Sequence, residues 1–234
     1  MKKHIPNFIT CLNLFSGCMA CLAAIESQFL QAFLWIILAA VFDFLDGMAA
    51  RALKAYSPMG KELDSLADMV SFGIAPGFIV FFALRPLIAF LPLSEYIPYA
   101  YAAFLIPVFS ALRLAKFNID ERQTDSFIGM PTPANTLFWA SAIVGTYPYA
   151  AEHPVGYATA VLLLVVIFSL LLVSEIPMFS LKVKNLSWKD NQIRYILIAC
   201  ALCLILLLGW SGIAATILLY LLISLSQYLR RERK

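Results

Sequence analysis

The chain has 234 residues, 62% hydrophobic and 13% charged, with a mean hydropathy of +0.84 and a formal net charge of +3. Soluble domains carry about 45–50% apolar and about 25% charged residues, so this composition excludes a soluble globular protein and predicts a polytopic membrane protein. The small net charge gives no support to nucleic-acid binding; the basic residues follow from topology and anionic lipid headgroups.

Met1-Lys2-Lys3-His4 leads into Pro6, Asn7, Thr10 and Asn13 rather than an apolar run, so no cleavable signal peptide is expected. A first helix is predicted over Pro6–Glu26. Asn7, Thr10, Asn13 and Ser16 recur on it at helical spacing, a polar face that either bonds a neighbouring helix or meets a ligand. A second helix is predicted over Phe29–Ala52 and a third over Gly60–Leu84, with a turn between them around Tyr56, Ser57 and Pro58. The third should bend or loosen within Ser71-Phe72-Gly73-Ile74-Ala75-Pro76-Gly77. Helix four is expected over Ile97–Phe117, ending in Arg113-Leu114-Ala115-Lys116-Phe117-Asn118, followed by a polar loop from Ile119 to Ser126. Helix five ends near Tyr147, helix six spans Gly156–Phe179, helix seven Ile193–Leu208 and helix eight Ile213–Tyr228. The fold expected is an all-α membrane bundle of about eight spans, each near the ~20 residues that cross the hydrocarbon core.

With eight spans, both ends of the chain share one side of the membrane. That side collects every one of the 17 Lys and Arg residues except Arg85. The positive-inside rule then places both ends, and the turn after Arg51, in the cytoplasm. The five cysteines, Cys11, Cys18, Cys21, Cys200 and Cys203, lie in apolar helices and read as small packing residues. His4 and His153 have no clustered partners and receive no role.

Four aspartates stand out: Asp43, Asp46, Asp64 and Asp68. An acid at the centre of a membrane helix costs about 2.5–3.5 kcal/mol, so an acid there is a functional-site candidate. Intervals of three and four residues put each pair on one helix face, and antiparallel neighbours let the two faces converge. Carboxylates gathered in a low dielectric need cations, and an all-oxygen set suits Mg²⁺, Mn²⁺ or Ca²⁺ better than zinc. Two such ions form the usual clamp for phosphoryl transfer. Asp43 precedes Arg51 by eight residues, about 12 Å along a helix, so the acids lie just below the cytoplasmic surface.

The stretch from Asp43 to Asp68 reads Asp-x2-Asp-Gly-x2-Ala-Arg-x8-Gly-x3-Asp-x3-Asp, and in its eight fixed positions it resembles the CDP-alcohol phosphotransferase family. The resemblance implies displacement of CMP from a CDP-linked alcohol by the hydroxyl of a second alcohol. It implies a six-helix catalytic core over 1–180, an additional C-terminal helical hairpin over 181–234, and a homodimer. By motif position, Asp43, Asp46 and Asp64 resemble the metal ligands, with Asp68 helping to hold the second of two Mg²⁺ or Mn²⁺ ions and acting as general base. Asn7, Thr10, Asn13, Gly47, Ala50, Arg51 and Gly60 resemble the CDP contacts; Arg51 otherwise reads as a topological charge. Further stretches, Ser71–Pro76, Arg113–Asn118 and Gly129–Ala134, look like the phosphatidylserine synthase branch of that family. That branch implies CDP-diacylglycerol and L-serine as substrates and a place in the cell (inner) membrane. Ser71, Arg113, Lys116 and Asn118 are then candidate contacts to serine or phosphate, although Arg113 and Lys116 also read as interface anchors for helix four. A phosphorylated acceptor, glycerol 3-phosphate or an inositol phosphate, is the alternative; it would need a basic cluster beyond Arg113, Lys116 and Arg122. A cation transporter using intramembrane carboxylates is the alternative of another class, but the chain holds no second copy of the aspartate stretch.

Overall fold

A backbone in lipid must satisfy its own polar groups, and this chain does so almost wholly with helices. The computed structural model describes residues 4–89, 97–120, 127–178 and 187–232. In order, α1 (His4–Ile25) and α2 (Phe29–Leu53) are followed by α3 (Pro58–Asp68), a π-helical segment (Met69–Ile74) and α4 (Ala75–Ala89). Next, α5 (Ile97–Ala100) and a 3-10 turn lead into α6 (Leu105–Ile119). Beyond β1 (Phe127–Ile128) come α7 (Thr132–Thr146), α8 (Pro154–Val173), β2 (Pro177–Met178), α9 (Trp188–Leu208) and α10 (Ser211–Glu232). Of the loop expected from Ile119 to Ser126, Ile119 belongs to α6, while residues 121–126 and the basic residues Lys2, Lys3, Lys182, Lys184, Arg233 and Lys234 lie outside the described residues.

The sequence explains the main boundaries. Lys54 adopts a left-handed conformation (φ 50°), and its N–H closes α2 onto the Ala50 and Arg51 carbonyls. Ser57 caps α3 by accepting the Gly60 N–H at 3.0 Å, with Pro58 in the first turn. The third helix therefore starts two residues before the predicted Gly60. The expected loosening after Ser71 takes the form of the π-helical segment, which begins directly after Asp68 and rejoins α-helix at Ala75.

Two predicted elements change. Helix six stops at Val173 instead of Phe179, because Pro177 supplies no N–H and disfavours helix at the preceding residue. The chain instead pairs Ile128 with Pro177 and Phe127 with Met178 in a two-stranded antiparallel ladder that the helical pattern hid. Gly129 makes that ladder possible: at φ +75° it donates to the Ile176 carbonyl, and a Cβ there would sit 2.7 Å from the Leu172 carbonyl oxygen. Helix four is interrupted by a 3-10 turn at Tyr101–Phe104, between α5 and α6, rather than running as one continuous α-helix from Ile97.

Among the described residues, seven helical stretches are long and apolar enough to cross a membrane, α3, the π-helical segment and α4 together forming one of them. The remaining predicted span, helix five, is α7, which has only 15 residues and is extended by a 3-10 turn at Tyr147–Tyr149. It is the inner helix of the bundle, packed against α2, α4 and α10. Trp139, Ala140 and Ile143 on it are almost wholly buried, and Phe138 stacks on Phe168 of α8 at 4.0 Å.

α1 lies against the π-helical segment through Gly17. A Cβ there would fall 2.8 Å from Ser71 Cα and 2.9 Å from its nitrogen, so backbone must move to accept one. Gly17→Ala should therefore cost about 1–3 kcal/mol through overpacking. Gly156 on α8 has nothing within 4 Å of its missing Cβ. Thermal unfolding in detergent should show a lowered Tm for Gly17→Ala and no loss for Gly156→Ala.

Candidate active site

The site is built where α1, α2 and α3 meet. The tight turn between Lys54 and Ser57 reverses the chain, and α2 and α3 both pack on α1, which brings the two acidic faces together. Carboxylate oxygens of Asp43, Asp64 and Asp68 lie within 4.8 Å of one another. Asp46 stands outside this triad. It is 6% exposed, its Oδ2 has no hydrogen-bond partner among the described residues, and it shares a cavity wall with Asp64.

That cavity, of about 230 Å³, opens between α1, α2 and α3. Of the residues the sequence assigned to CDP, Asn7, Thr10, Gly47, Ala50 and Gly60 line it. Arg51 is exposed at its edge, with a guanidinium nitrogen 3.7 Å from the position a Cβ would take on Gly47. Tyr56, Ser57 and Lys61 also line the cavity. Sequence reasoning passed over them because Tyr56 and Ser57 read as turn residues and Lys61 as a topological charge.

Asn13 is placed elsewhere. Its Nδ2 donates to Asp68 Oδ1 at 3.2 Å, behind the acid cluster rather than on the cavity wall. Ser71 donates its hydroxyl to the Asn13 carbonyl at 3.0 Å and is fully buried. Thr10 gives its proton to the Pro6 carbonyl at 3.0 Å.

The other candidate contacts separate. Arg113 is 7% exposed, donates from Nη1 to Thr132 Oγ1 at 3.1 Å, lies over the Phe117 ring and is within electrostatic reach of Asp68. Lys116 instead forms an ion pair with Glu175. Asn118 donates to Ser65 Oγ at 2.8 Å and accepts from Lys61 Nζ at 3.2 Å, tying α6 to α3. Thr132 and Asn135 were not singled out by sequence reasoning, although Thr132 falls within the Gly129–Ala134 stretch and Asn135 directly follows it. Both are fully buried.

Among the described residues, none of the four acids forms an ion pair, and the triad offers only oxygen. Carboxylates this close and half-buried in a membrane protein repel one another unless positive charge is supplied. The donor set fits a hard divalent cation. The arrangement therefore combines an anionic cluster suited to metal with a cavity whose wall carries a Gly-x-x-Ala face, Gly47 and Ala50, flat enough for a planar ligand.

Comparisons with known proteins agree with this geometry. Residues 3–204 match the family model for CDP-alcohol phosphatidyltransferase. A Bacillus subtilis protein named CDP-diacylglycerol–serine O-phosphatidyltransferase is 38% identical over 131 residues, covering 56% of this chain and 70% of its own length. A Helicobacter pylori protein of the same name is 30% identical over 236 residues, covering 96% of this chain and 90% of its own. A third, from Methanocaldococcus jannaschii, is 30% identical over 231 residues and covers 97% and 96%. With the family model matching most of its length and the acid cluster assembled at the junction of its first three helices, the chain belongs to the CDP-alcohol phosphatidyltransferase family.

Proposed function

We propose that the protein transfers the phosphatidyl group of CDP-diacylglycerol to the hydroxyl of L-serine, giving phosphatidylserine and CMP. The observation that carries this reading is the convergence of Asp43, Asp64 and Asp68 beside a cavity that Asp46 and Asp64 line. The names of the relatives support serine as acceptor.

Asp43, Asp46, Asp64 and Asp68 would hold two divalent ions, Mg²⁺ or Mn²⁺. When bound, such ions neutralise the pyrophosphate and the departing CMP. Gly47 and Ala50 give the nucleotide a flat helix surface, and Arg51 at the rim meets phosphate with its forked donors. Asp68 accepts the serine proton as the serine oxygen bonds to the phosphorus of the phosphatidyl group and the bond from that phosphorus to the CMP oxygen breaks. Asn13 holds Asp68 Oδ1, which leaves Oδ2 as the oxygen free to take the proton. Arg113 receives the serine carboxylate: apart from Thr132, its N–H groups have no acceptor among the described residues. α1 to α8 form the catalytic unit, with the site at its cytoplasmic face, where a lipid-borne phosphate meets a water-soluble amino acid.

Glycerol 3-phosphate or an inositol phosphate fits less well. Lys116 is committed to Glu175, so Arg113 is the one buried cation near the acids among the described residues.

The direct test follows CMP release by purified protein in detergent, with CDP-diacylglycerol, Mn²⁺ or Mg²⁺, and serine, glycerol 3-phosphate or myo-inositol phosphate supplied separately. Release with serine alone, abolished by chelator, is expected; release with a phosphorylated acceptor instead overturns the acceptor assignment. Asp68→Asn should lower kcat by about 10²–10⁴-fold while CDP-diacylglycerol still binds, and near-normal turnover would remove Asp68 as the base. Arg113→Ala should raise the serine KM by roughly tenfold or more, the effect of losing a charge-assisted bond. An unchanged serine KM would return Arg113 to interface anchoring.

A further inference from the structure

One turn deeper than Arg113, the bundle buries polar groups that the structure leaves unanswered. Asn135 is wholly buried on α7, and neither its Nδ2 nor its Oδ1 has a hydrogen-bond partner among the described residues. Ser110 on α6 is also wholly buried, and its hydroxyl is likewise without a partner. An amide or hydroxyl shut away without a bond costs about 1–3 kcal/mol in a protein interior. Each is a buried polar group with a bond to spare for a ligand.

Their positions are fixed by neighbours. Ser110 precedes Arg113 by three residues and Asn135 follows Thr132 by three, on helices that run in opposite directions. Each therefore lies on the same broad face as its partner in the Arg113–Thr132 bond, one turn further from the cytoplasmic end. Both helices converge there on the π-helical segment. Ser110 Cβ is 3.2 Å from where a Cβ on Gly73 would stand, and Thr136, next to Asn135, donates to the Phe72 carbonyl at 2.6 Å. Phe72 and Gly73 follow Asp68 by four and five residues, about 6–7.5 Å at an α-helical rise. An α-amino acid with a β-hydroxyl spans about 4 Å from hydroxyl to its charged end, and a hydrogen bond adds about 3 Å. Its hydroxyl at Asp68 would put its ammonium at this layer.

We infer that Ser110 and Asn135, buried beneath the Arg113–Thr132 bond, form the receptor for the ammonium end of the acceptor amino acid. This rests on the serine reading of the same site. The amide and hydroxyl oxygens accept from the ammonium, and the Asn135 Nδ2 donates to the carboxylate that Arg113 holds. The three groups together select an α-amino acid over a simple alcohol, because an acceptor lacking the ammonium leaves both oxygens buried and unpaired.

Asn135→Leu and Ser110→Ala test this in the full-length enzyme with its metal. Removing an unpaired buried polar group in exchange for an apolar one of like size should leave the detergent Tm unchanged or raise it. The serine KM should rise at least tenfold in Asn135→Leu and severalfold in Ser110→Ala, with the CDP-diacylglycerol KM unchanged. The ratio of kcat/KM for L-serine to that for 3-hydroxypropanoate, which lacks the ammonium, should fall at least tenfold in Asn135→Leu. A serine KM within twofold of the parent and an unchanged ratio in both variants would overturn the inference and leave the pair as the seat of an ordered water only. Ser110→Ala is the smaller change and decides the matter if Asn135→Leu does not fold. If the unaltered protein releases CMP with glycerol 3-phosphate or inositol phosphate and not with serine, the serine reading fails first, and the receptor assignment with it.

Discussion

Mutual repulsion among carboxylates is the constraint around which this bundle is built. Asp43, Asp64 and Asp68 sit with oxygens within 4.8 Å of one another, on helices long and apolar enough to cross a membrane. Placing even one such acid in a membrane helix is unfavourable, and gathering several raises the cost of each charge. The arrangement holds because α2 and α3 are locked by local chemistry independent of the acids. The left-handed Lys54 closes one helix and the Ser57–Pro58 cap opens the next, so the two acidic faces meet whether or not they attract. A cluster held together against its own charge is organised to receive positive charge, which is the physical meaning of the aspartate spacing.

The rest of the site is scaffolding for Asp68. It is the last residue of α3, and the π-helical segment starts at the next position. A π turn carries more residues per turn than an α-helix, so it rotates everything before it relative to everything after. That lets Asp68 face the acids while Ser71, Phe72 and Gly73 face α1, α7 and α6. Each contact is fixed by a small or polar side chain: Ser71 on the Asn13 carbonyl beside Gly17, Thr136 on the Phe72 carbonyl, and Ser110 against Gly73. In lipid, where apolar burial does not favour one helix pairing over another, such close approaches and hydrogen bonds supply the specificity.

Much of this was legible in the amino-acid sequence. Hydropathy located the helices, and the spacing of Asp43, Asp46, Asp64 and Asp68 placed them on facing helices. The residues hidden from the pattern share a cause: their role depends on tertiary neighbours. Asn13 belongs to a polar face that reads equally well toward a ligand or toward another helix, and only the position of α3 puts it on Asp68. Lys116 and Arg113 look alike in the sequence as two cations near a helix end. Their fates diverge because Glu175, after α8, reaches Lys116, whereas Arg113 is covered by Thr132 and Phe117. The short ladder between β1 and β2 was invisible because an apolar run through Pro177 resembles the end of a membrane helix.

The C-terminal hairpin also acquires a physical place. α7 has only 15 residues, yet it carries Thr132 and Thr136, the polar side chains that reach α6 and the π-helical segment. A helix this short has little lipid-facing length to hold it at a fixed depth, so neighbours must do so. α10 packs along α7, and at Gly145 the approach is close enough that a Cβ would sit 2.7 Å from the Ser211 nitrogen. α9 packs on α10 in turn and leaves most of its surface to lipid. The hairpin thus buttresses the helix that bears Thr132 and Thr136. Depth is the coordinate that matters there: a slip of one residue along α7 moves Thr132 by about 1.5 Å and turns it by about 100°, enough to break its bond to Arg113.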